Sequence, residues 1–416
     1  MVGFGNGKQM KAVVFTLGCK VNECESDSLI SGLTDLGYQV TDKLEKADLY
    51  IVNTCAVTGE AEKKSRQTYA RIRKLSPSAR IIYTGCAVQK NPKSFEEKNA
   101  WIINGAFGKQ KILDVLEKSG SYLFPPEKDF EELLPVKSLR KRTYVKVQDG
   151  CNNFCTYCII PLLRGRSRSR NPQSIINEIR AVKPLETVIN GINLSAYNFN
   201  GVDLAGLIER LKDEDTRIRL GSLEVNVIDE RLLTALSKLK NFAPHFHLSL
   251  QSGSNAVLKK MNRHYTAEEY LEKVKLIRKY FSLAGITTDV IAGFPTETDQ
   301  DFNETLDLIE KVEFSDIHPF AFSAREGTPA YKMQDLNGAV KKDRLNRLLS
   351  LKSKLKLAFV EKMKGKTLTA IIEESKNGYY QGYTENYLRV YLKEKPSSDV
   401  VNVKIIKPFE DGALCE

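Results

Sequence analysis

No stretch of this chain holds the roughly twenty uninterrupted apolar residues that a membrane-spanning helix needs. Its first nine residues, MVGFGNGKQ, lack the apolar core of an export signal, so a cytoplasmic setting is expected. Cysteine is scarce: eight in 416 residues, far below the density of a disulfide-stapled secreted scaffold. Tryptophan occurs once, and no basic amphipathic helix with a Trp-rich face is present to lie on a lipid surface. Paired catalytic carboxylates, Ser/His/Asp constellations, internal repeats and low-complexity tracts are missing too. The composition, 42% hydrophobic and 28% charged, excludes a disordered or fibrous chain and suits two or three folded domains.

What is present is positive charge and unevenly placed thiols. Lys and Arg total 63 against 52 Asp and Glu, a net of +11, which favours a polyanionic partner such as nucleic acid over a membrane. Cys151, Cys155 and Cys158 crowd together, whereas Cys19, Cys24, Cys55 and Cys86 are scattered through the amino-terminal part. In a reducing compartment free thiols are metal ligands or nucleophiles more often than staples, and this clustering favours metal.

GFGNG, at residues 3–7, superficially resembles a dinucleotide loop. It precedes the first strand where a phosphate cradle must follow one, so it reads as a flexible tail. The apolar runs AVVF, DLYIVN, RIIYT and WIIN then alternate with helix-like segments at 25–36, 60–75 and 110–118, the pattern of an α/β domain with a parallel sheet. Ligands of such sheets gather at the carboxyl ends of strands. Cys19, Cys55 and Cys86 each stand just beyond one, in VVFTLGC, YIVNTC and IIYTGC.

A polar, Pro-containing stretch at 121–142 reads as a linker. Beyond it TYVKVQ, ETVIN, RIRLGS, HFHLSL, ITTDVIAG and DIHPFAF alternate with helices expected at 173–182, 204–211, 229–239, 267–279 and 300–312. Six such units are fewer than the eight of a closed barrel, so a partial (β/α)₆ barrel is expected, crossed by a Lys-rich amphipathic helix at 341–364. LTAIIEES, YYQGYTENYLRVYL and VVNVKIIK then predict a small antiparallel β-barrel. The expected domains are 10–120, 137–365 and 366–416.

Cys151-x₃-Cys155-x₂-Cys158, within DGCNNFCTYC, offers three thiolates at a spacing suited to a cubane iron–sulfur cluster. Structural zinc is the alternative, but it usually takes paired C-x₂-C knuckles and four ligands, and the chain has no second knuckle. Three thiols leave one iron open, as in catalytic metal sites. With Tyr157 before the last cysteine, the motif resembles that of the radical S-adenosylmethionine superfamily. Cys19 in TLGCKVNECES, Cys55 in NTCAVT and Cys86 in TGCAVQ resemble the amino-terminal domain of the methylthiotransferases. CIIPLLRGRSRSR, SLQSGS and MNRHY extend that resemblance over nearly the whole chain, and the tail is similar to a shortened TRAM domain, an RNA-binding barrel. Among subfamilies, LGCKVN and CNNFCTYCIIP are most like the type that acts on threonylcarbamoyladenosine in tRNA. The isopentenyladenosine and ribosomal-protein types usually carry other residues after the first cysteine.

The resemblance implies two 4Fe–4S clusters. One, on Cys151, Cys155 and Cys158, would have its free iron chelated by the amino and carboxylate groups of S-adenosylmethionine. The other, on Cys19, Cys55 and Cys86, would present the sulfur to be inserted. A 5′-deoxyadenosyl radical would remove hydrogen from C2 of N6-threonylcarbamoyladenosine at position 37, and a second S-adenosylmethionine would supply the methyl group. The implied partners are the tRNA anticodon stem-loop, an electron donor such as flavodoxin or ferredoxin, and a sulfur donor. No general acid or base is expected.

Asn193, Glu224, Ser249, Gln251 and Arg263 are the expected contacts to S-adenosylmethionine, although Val225 stands where the family usually has proline. Arg164 and Arg170, from a ladder with Arg166 and Arg168, are expected to meet substrate phosphate or carboxylate. Gly293 and Pro295 are expected to shape a loop against the adenine, and His245 and His247 to be structural. Tyr379, Tyr380, Tyr383, Tyr387 and Tyr391, with Arg389 and Lys393, suggest an RNA-facing surface shared with the tail's own core. Cys24 and Cys415 read as spectators. The rival readings are the same machinery on isopentenyladenosine tRNA or a ribosomal protein, and a zinc-stabilised RNA-binding protein without catalysis.

Overall fold

The computed structural model describes residues 9–133 and 141–416. GFGNG and residue 137, the expected start of the second domain, lie outside the described residues. The first sheet is parallel throughout: β1 Lys11–Thr16, β2 Gln39–Thr41, β3 Leu49–Thr54, β4 Arg80–Gly85, β5 Ile102–Asn104 and β6 Gly120–Tyr122, in the order β2-β1-β3-β4-β5-β6. Both faces are covered, so its strands are apolar on both sides. Ala12, Val14, Ile51 and Ile82 pack with helix α1 (Lys20–Asp35). The alternate residues Val13, Tyr50, Val52, Ile81 and Tyr83 pack on the other face with helix α2 (Gly59–Leu75).

Two expectations change here. Helix α1 begins at Lys20, immediately after Cys19, and not at 25. Its polar opening reads as solvated sequence, yet Asn22, Glu25, Ser26, Asp27 and Ser28 are all buried, because the helix is covered on its second side by the next domain. The segment expected as a helix at 110–118 is a single 3₁₀ stretch, Gln110–Val115. Two short helices, α3 Cys86–Lys90 and α4 Lys93–Glu96, follow β4.

The middle of the chain forms the expected partial barrel. Its staves begin with β7 Arg142–Asp149 and β9 Glu186–Gly191; a two-residue strand, β8 Arg168–Ser169, pairs antiparallel on the outer side of β7. After a small hairpin (β10 Asn198–Phe199, β11 Val202–Asp203), the third stave is broken in two. Its first half, β12 Arg217–Leu220, pairs with β9; its second, β13 Ser222–Leu223, pairs with β14 His245–Leu248. The break is Gly221, where a Cβ would lie 2.9 Å from Asn190 Oδ1 and 3.1 Å from the Ile189 carbonyl. β15 Gly285–Ala292 and β16 Asp316–Ala321 complete a parallel arc. Among the described residues nothing pairs β16 with β7, and α1 lies along β7 and β9.

Around the arc run α5 Ile160–Arg164, α6 Pro172–Val182, α7 Leu204–Arg210, α8 Glu230–Ser237, α9 Asn255–Lys260, α10 Ala267–Tyr280, α11 Asp299–Val312 and the long α12 Gly338–Met363. Ile175, Leu207, Leu232, Tyr270, Phe302 and Leu348 carry six of these helices into one continuous core with the staves.

The tail closes a five-stranded barrel: β17 Thr367–Lys376, β18 Tyr379–Thr384, β19 Arg389–Leu392, β20 Val400–Phe409 and β21 Gly412–Cys415, in the order β17-β18-β19-β21-β20. β21, outside the expected strands, pairs parallel with β19, so the barrel is not purely antiparallel. It docks on the amino ends of the staves. Arg217 donates to the Thr369 carbonyl at 3.1 Å, Arg219 to those of Thr384 and Glu385 at 3.2 and 3.1 Å, and Arg142 to Glu373 at 2.9 Å. The cysteine loops sit at the opposite, carboxyl ends. Among the described residues no helix is long and apolar enough to cross a membrane.

Candidate metal centres

Cys19, Cys55 and Cys86 leave the sheet at one edge, after β1, β3 and β4. Cys19 is the N-cap position of α1 and Cys86 the first residue of α3. The residues before them, Gly18 and Gly85, have φ of +104° and +100°, a region that glycine enters without strain. A Cβ on Gly18 would lie 2.7 Å from Cys55 Sγ, and one on Gly85 2.5 Å from the Thr54 carbonyl. The cysteine loops approach one another only because these positions carry no side chain. The three thiols feel one another electrostatically. Burial raises the Cys19 thiol and pushes Cys55 up to about 12, so bare thiolates are disfavoured there. A bound metal cation is the partner that makes a thiolate stable in such a place.

The second set follows β7. Gly150 turns the chain at φ +71°, with the Arg166 carbonyl 2.0 Å from where its Cβ would stand. Burial raises Cys151 and pushes Cys158 up to about 12. The sulfurs also collect donors. Cys151 Sγ accepts from the Asn153 amide at 3.5 Å and from Asn193 Nδ2 at 3.7 Å, and Cys155 Sγ accepts from Arg263 Nη1 at 3.3 Å. N–H groups aimed at cysteine sulfur suit the ligands of an iron–sulfur cluster.

Of the five residues expected around S-adenosylmethionine, four join this network. Arg263 pairs with Glu224 at 2.8 Å, and Glu224 also accepts from Asn153 Nδ2 at 2.5 Å. The Asn193 amide donates to Gln148 Oε1 at 2.8 Å. Ser249 enters through its carbonyl, which accepts from Arg263 at 3.3 Å and from Tyr265 at 2.8 Å. Gln251 stands apart. Its backbone is left-handed, φ +66°, and bridges to β15 through the Asp289 carbonyl and the Ile291 amide. Gly293, also left-handed, donates to Glu297 at 2.9 Å, and Glu297 is held by Arg344 of α12. His245 and His247 both meet Thr287, at 2.9 and 3.0 Å.

The arginine ladder does not form. Arg164 closes α5 fully buried, giving 2.6 and 3.0 Å bonds to Glu25 and a 2.7 Å bond to Asn22. Arg170 is spent on Glu132 and Glu178, and its carbonyl accepts from Tyr197. Both guanidiniums face the protein's own groups, not a surface that substrate could reach. The partners of Arg164, namely Asn22, Glu25 and Asp149, with Lys146 beside the two carboxylates, are unmarked in the sequence except by the one-turn spacing of Asn22 and Glu25. Cys24 donates to the Tyr144 carbonyl at 3.1 Å, and Cys415 lies in the tail's core.

In the tail, Tyr379 and Tyr391 pack with Phe409, while Tyr383 and Tyr387 turn toward the middle domain, against Arg142 at 5.0 and 5.5 Å. Among the described residues no three His, Cys, Asp or Glu side chains converge as a single metal ion would require. A cubane spreads its ligand sulfurs wider than the roughly 2.3 Å shell of one zinc.

Two family models match the chain: the radical SAM superfamily over residues 145–309 and the uncharacterized protein family UPF0004 over residues 11–105. Threonylcarbamoyladenosine tRNA methylthiotransferase MtaB of Aquifex aeolicus is 37% identical over 402 residues, covering 92% of this chain and 96% of that protein. tRNA-2-methylthio-N(6)-dimethylallyladenosine synthase of Desulforamulus reducens is 35% identical, over 87% of this chain and 84% of that one. Among solved structures, the radical S-adenosylmethionine methyltransferase TsrM of Kitasatospora setae aligns with a TM-score of 0.55 over 90% of this chain and 81% of that chain; at 13% identity this is a likeness of fold.

Proposed function

The chain belongs to the radical S-adenosylmethionine methylthiotransferases, and we propose that it adds a methylthio group to C2 of N6-threonylcarbamoyladenosine at position 37 of tRNA. The observation that carries the methylthiotransferase reading is the pair of thiol triads, with left-handed glycines before Cys19, Cys86 and Cys151, and α1 packed on β7; the choice of threonylcarbamoyladenosine rests on the motifs LGCKVN and CNNFCTYCIIP. Cys151, Cys155 and Cys158 would hold one 4Fe–4S cluster, and Cys19, Cys55 and Cys86 a second. When bound, the cluster on Cys151, Cys155 and Cys158 with S-adenosylmethionine would supply one-electron bond cleavage, and the cluster on Cys19, Cys55 and Cys86 would supply sulfur.

The chain's own residues orient and insulate. Asn193 and Arg263 donate to thiol sulfurs, Glu224 holds Arg263 in place, and Tyr265 fixes the Ser249 carbonyl beside them. Gln251 is assigned as a further cofactor contact through its side chain, since its backbone is taken up by β15. The net charge of +11 suits the tRNA anticodon stem-loop. Five-stranded barrels of this kind bind oligonucleotides on the face of their second and third strands, which here present Tyr379 and Arg389, while Tyr380 and Tyr391 are taken up by the barrel's own packing. An electron donor such as flavodoxin or ferredoxin and a sulfur donor complete the set of partners. The cell compartment that supplies them is the cytoplasm.

The substrate is tested by incubating reconstituted enzyme with tRNA bearing threonylcarbamoyladenosine and, separately, tRNA bearing isopentenyladenosine. Methylthio gain by mass spectrometry on the first alone is expected. Gain only on the second reassigns the substrate and leaves the machinery intact. Metal analysis of anaerobically purified protein addresses the non-catalytic rival: about eight irons per chain is expected, and a colourless, zinc-loaded protein overturns the enzyme.

A further inference from the structure

Between the two thiol triads lies a buried charge cluster that the reaction as described does not use. Arg164, Lys109 and Lys146 surround Glu25 and Asp149. Lys146 reaches Glu25 at 2.9 Å and Asp149 at 2.6 Å, Lys109 pairs with Glu25, and Arg164 bonds Glu25 at 2.6 Å. No side chain among the five is more than 7% exposed. Three cations thus face two carboxylates. At the rim Arg168 approaches Asp149 at 3.7 Å, and Glu131 faces the lysines with its carboxyl raised by burial. Among the described residues at least one positive charge stays unmatched in a place where an unmatched charge is costly.

The excess points toward the first triad. Arg164 acts electrostatically on Cys19, Cys55 and Cys86, and its Nε–H, fully buried, has no hydrogen-bond partner among the described residues. It is also tied to the loops that carry those thiols. Arg164 Nη2 donates to Asn22 Oδ1 at 2.7 Å, and Asn22 Nδ2 donates to the Leu17 and Thr54 carbonyls, at 2.8 and 3.0 Å, just ahead of Cys19 and Cys55. On its other side Arg164 contacts Asp149 at 3.4 Å, and Asp149 accepts from the amide of Gly150, next to Cys151, at 2.7 Å.

Resting on the two-cluster reading above, we infer that Arg164 is the counter-charge and positioning residue of the first triad, its guanidinium balancing the anionic cluster held there and strapping that site to the second. A 4Fe–4S unit on three thiolates carries net negative charge, which supplies the anion this pocket lacks. Such a cation favours the reduced, more negative cluster and raises its reduction potential.

The test is a redox titration, followed by electron paramagnetic resonance, of anaerobically reconstituted protein. The two signals are first assigned with Cys55→Ala and Cys155→Ala. Arg164→Gln is expected to lower the midpoint potential of the cluster on Cys19, Cys55 and Cys86. Arg164→Lys is expected to restore it, and Glu25→Gln, which removes a neighbouring negative charge and keeps its shape, to raise it. Opposite signs from Arg164→Gln and Glu25→Gln cannot come from a merely loosened fold. An unmoved potential in iron-replete Arg164→Gln or Glu25→Gln, or shifts of the same sign in the two, overturns the inference. Where Arg164→Gln fails to fold, Glu25→Gln still decides the sign: a raised potential is expected, and an unmoved or lowered one overturns the inference. Four irons in the unaltered chain removes the two-cluster reading itself, before any variant is compared.

Discussion

Arg263 reaches Glu224 across 2.8 Å with the same Nη1 that donates to Cys155 Sγ at 3.3 Å. One guanidinium nitrogen therefore serves a carboxylate from the third stave and a thiol of the cluster loop. Arg263→Ala would leave Glu224, 20% exposed, without its cation beside a thiolate set. A cost of about 3 kcal/mol is expected from breaking such a pair, together with at least a tenfold loss of 5′-deoxyadenosine formation, read by chromatography. The double variant Arg263→Ala/Glu224→Gln should recover much of the stability in denaturant unfolding but not the cleavage. Equal instability of single and double variants would show that the ion pair is not the cause.

The two thiol sets should separate in function. Cys155→Ala is expected to abolish S-adenosylmethionine cleavage, whereas Cys55→Ala should keep cleavage and end sulfur insertion. Both readouts come from one reaction mixture, as 5′-deoxyadenosine and methylthiolated nucleoside. Methylthiolated tRNA from Cys55→Ala would remove the role proposed for the first triad.

The parallel sheet was legible because both its faces are covered, which makes AVVF, LYIV and IIY apolar without interruption. The six staves were legible from their alternation with helices. What escaped depends on partners distant in sequence. The opening of α1 carries Asn22, Glu25 and Asp27 and reads as solvated until β7 covers it. The alternation of residues 164–170 predicts an extended ladder, yet Arg164 ends α5 and meets Glu25, 139 positions away. No local pattern signals such a pairing. β21 is four residues long and forms by closing a barrel, so its signal was tertiary.

The glycines before the cysteines allow a test of geometry alone. Gly18→Ala meets Cys55 Sγ at 2.7 Å and must also hold φ near +104°. The backbone strain alone is about 1–2 kcal/mol. Gly201 has φ +85° and nothing within 4 Å, so Gly201→Ala carries strain without collision. Gly18→Ala is expected to lose about half the bound iron after reconstitution, while Gly201→Ala keeps all of it and loses less thermal stability, because it carries the strain alone. Equal iron in the two variants would mean that the close approach of the cysteine loops is dispensable.

The dock of the tail predicts an acid-labile seam. Burial alone would raise the carboxyl of Glu186, but Arg219 first, then Arg217 and Arg142, outweigh it and hold Glu186 at about 2. Arg217 and Arg219 are the residues that donate to the tail's carbonyls at Thr369, Thr384 and Glu385. Because the folded value lies below the ordinary carboxylate range, the contribution of Glu186 is complete above the unfolded pKa of about 4.3 and is lost as pH falls toward 2. Its size is on the order of 3 kcal/mol. Thermal unfolding followed between pH 6 and pH 2.5 should show the native chain losing stability faster than Glu186→Gln, which has no proton to take up at that position. The variant should already be weaker at pH 6, where two arginines face each other without their shared carboxylate, and the two curves should converge as acid is added. Parallel curves over that interval would place the acid sensitivity elsewhere and leave Glu186 as a passive spacer between Arg217 and Arg219.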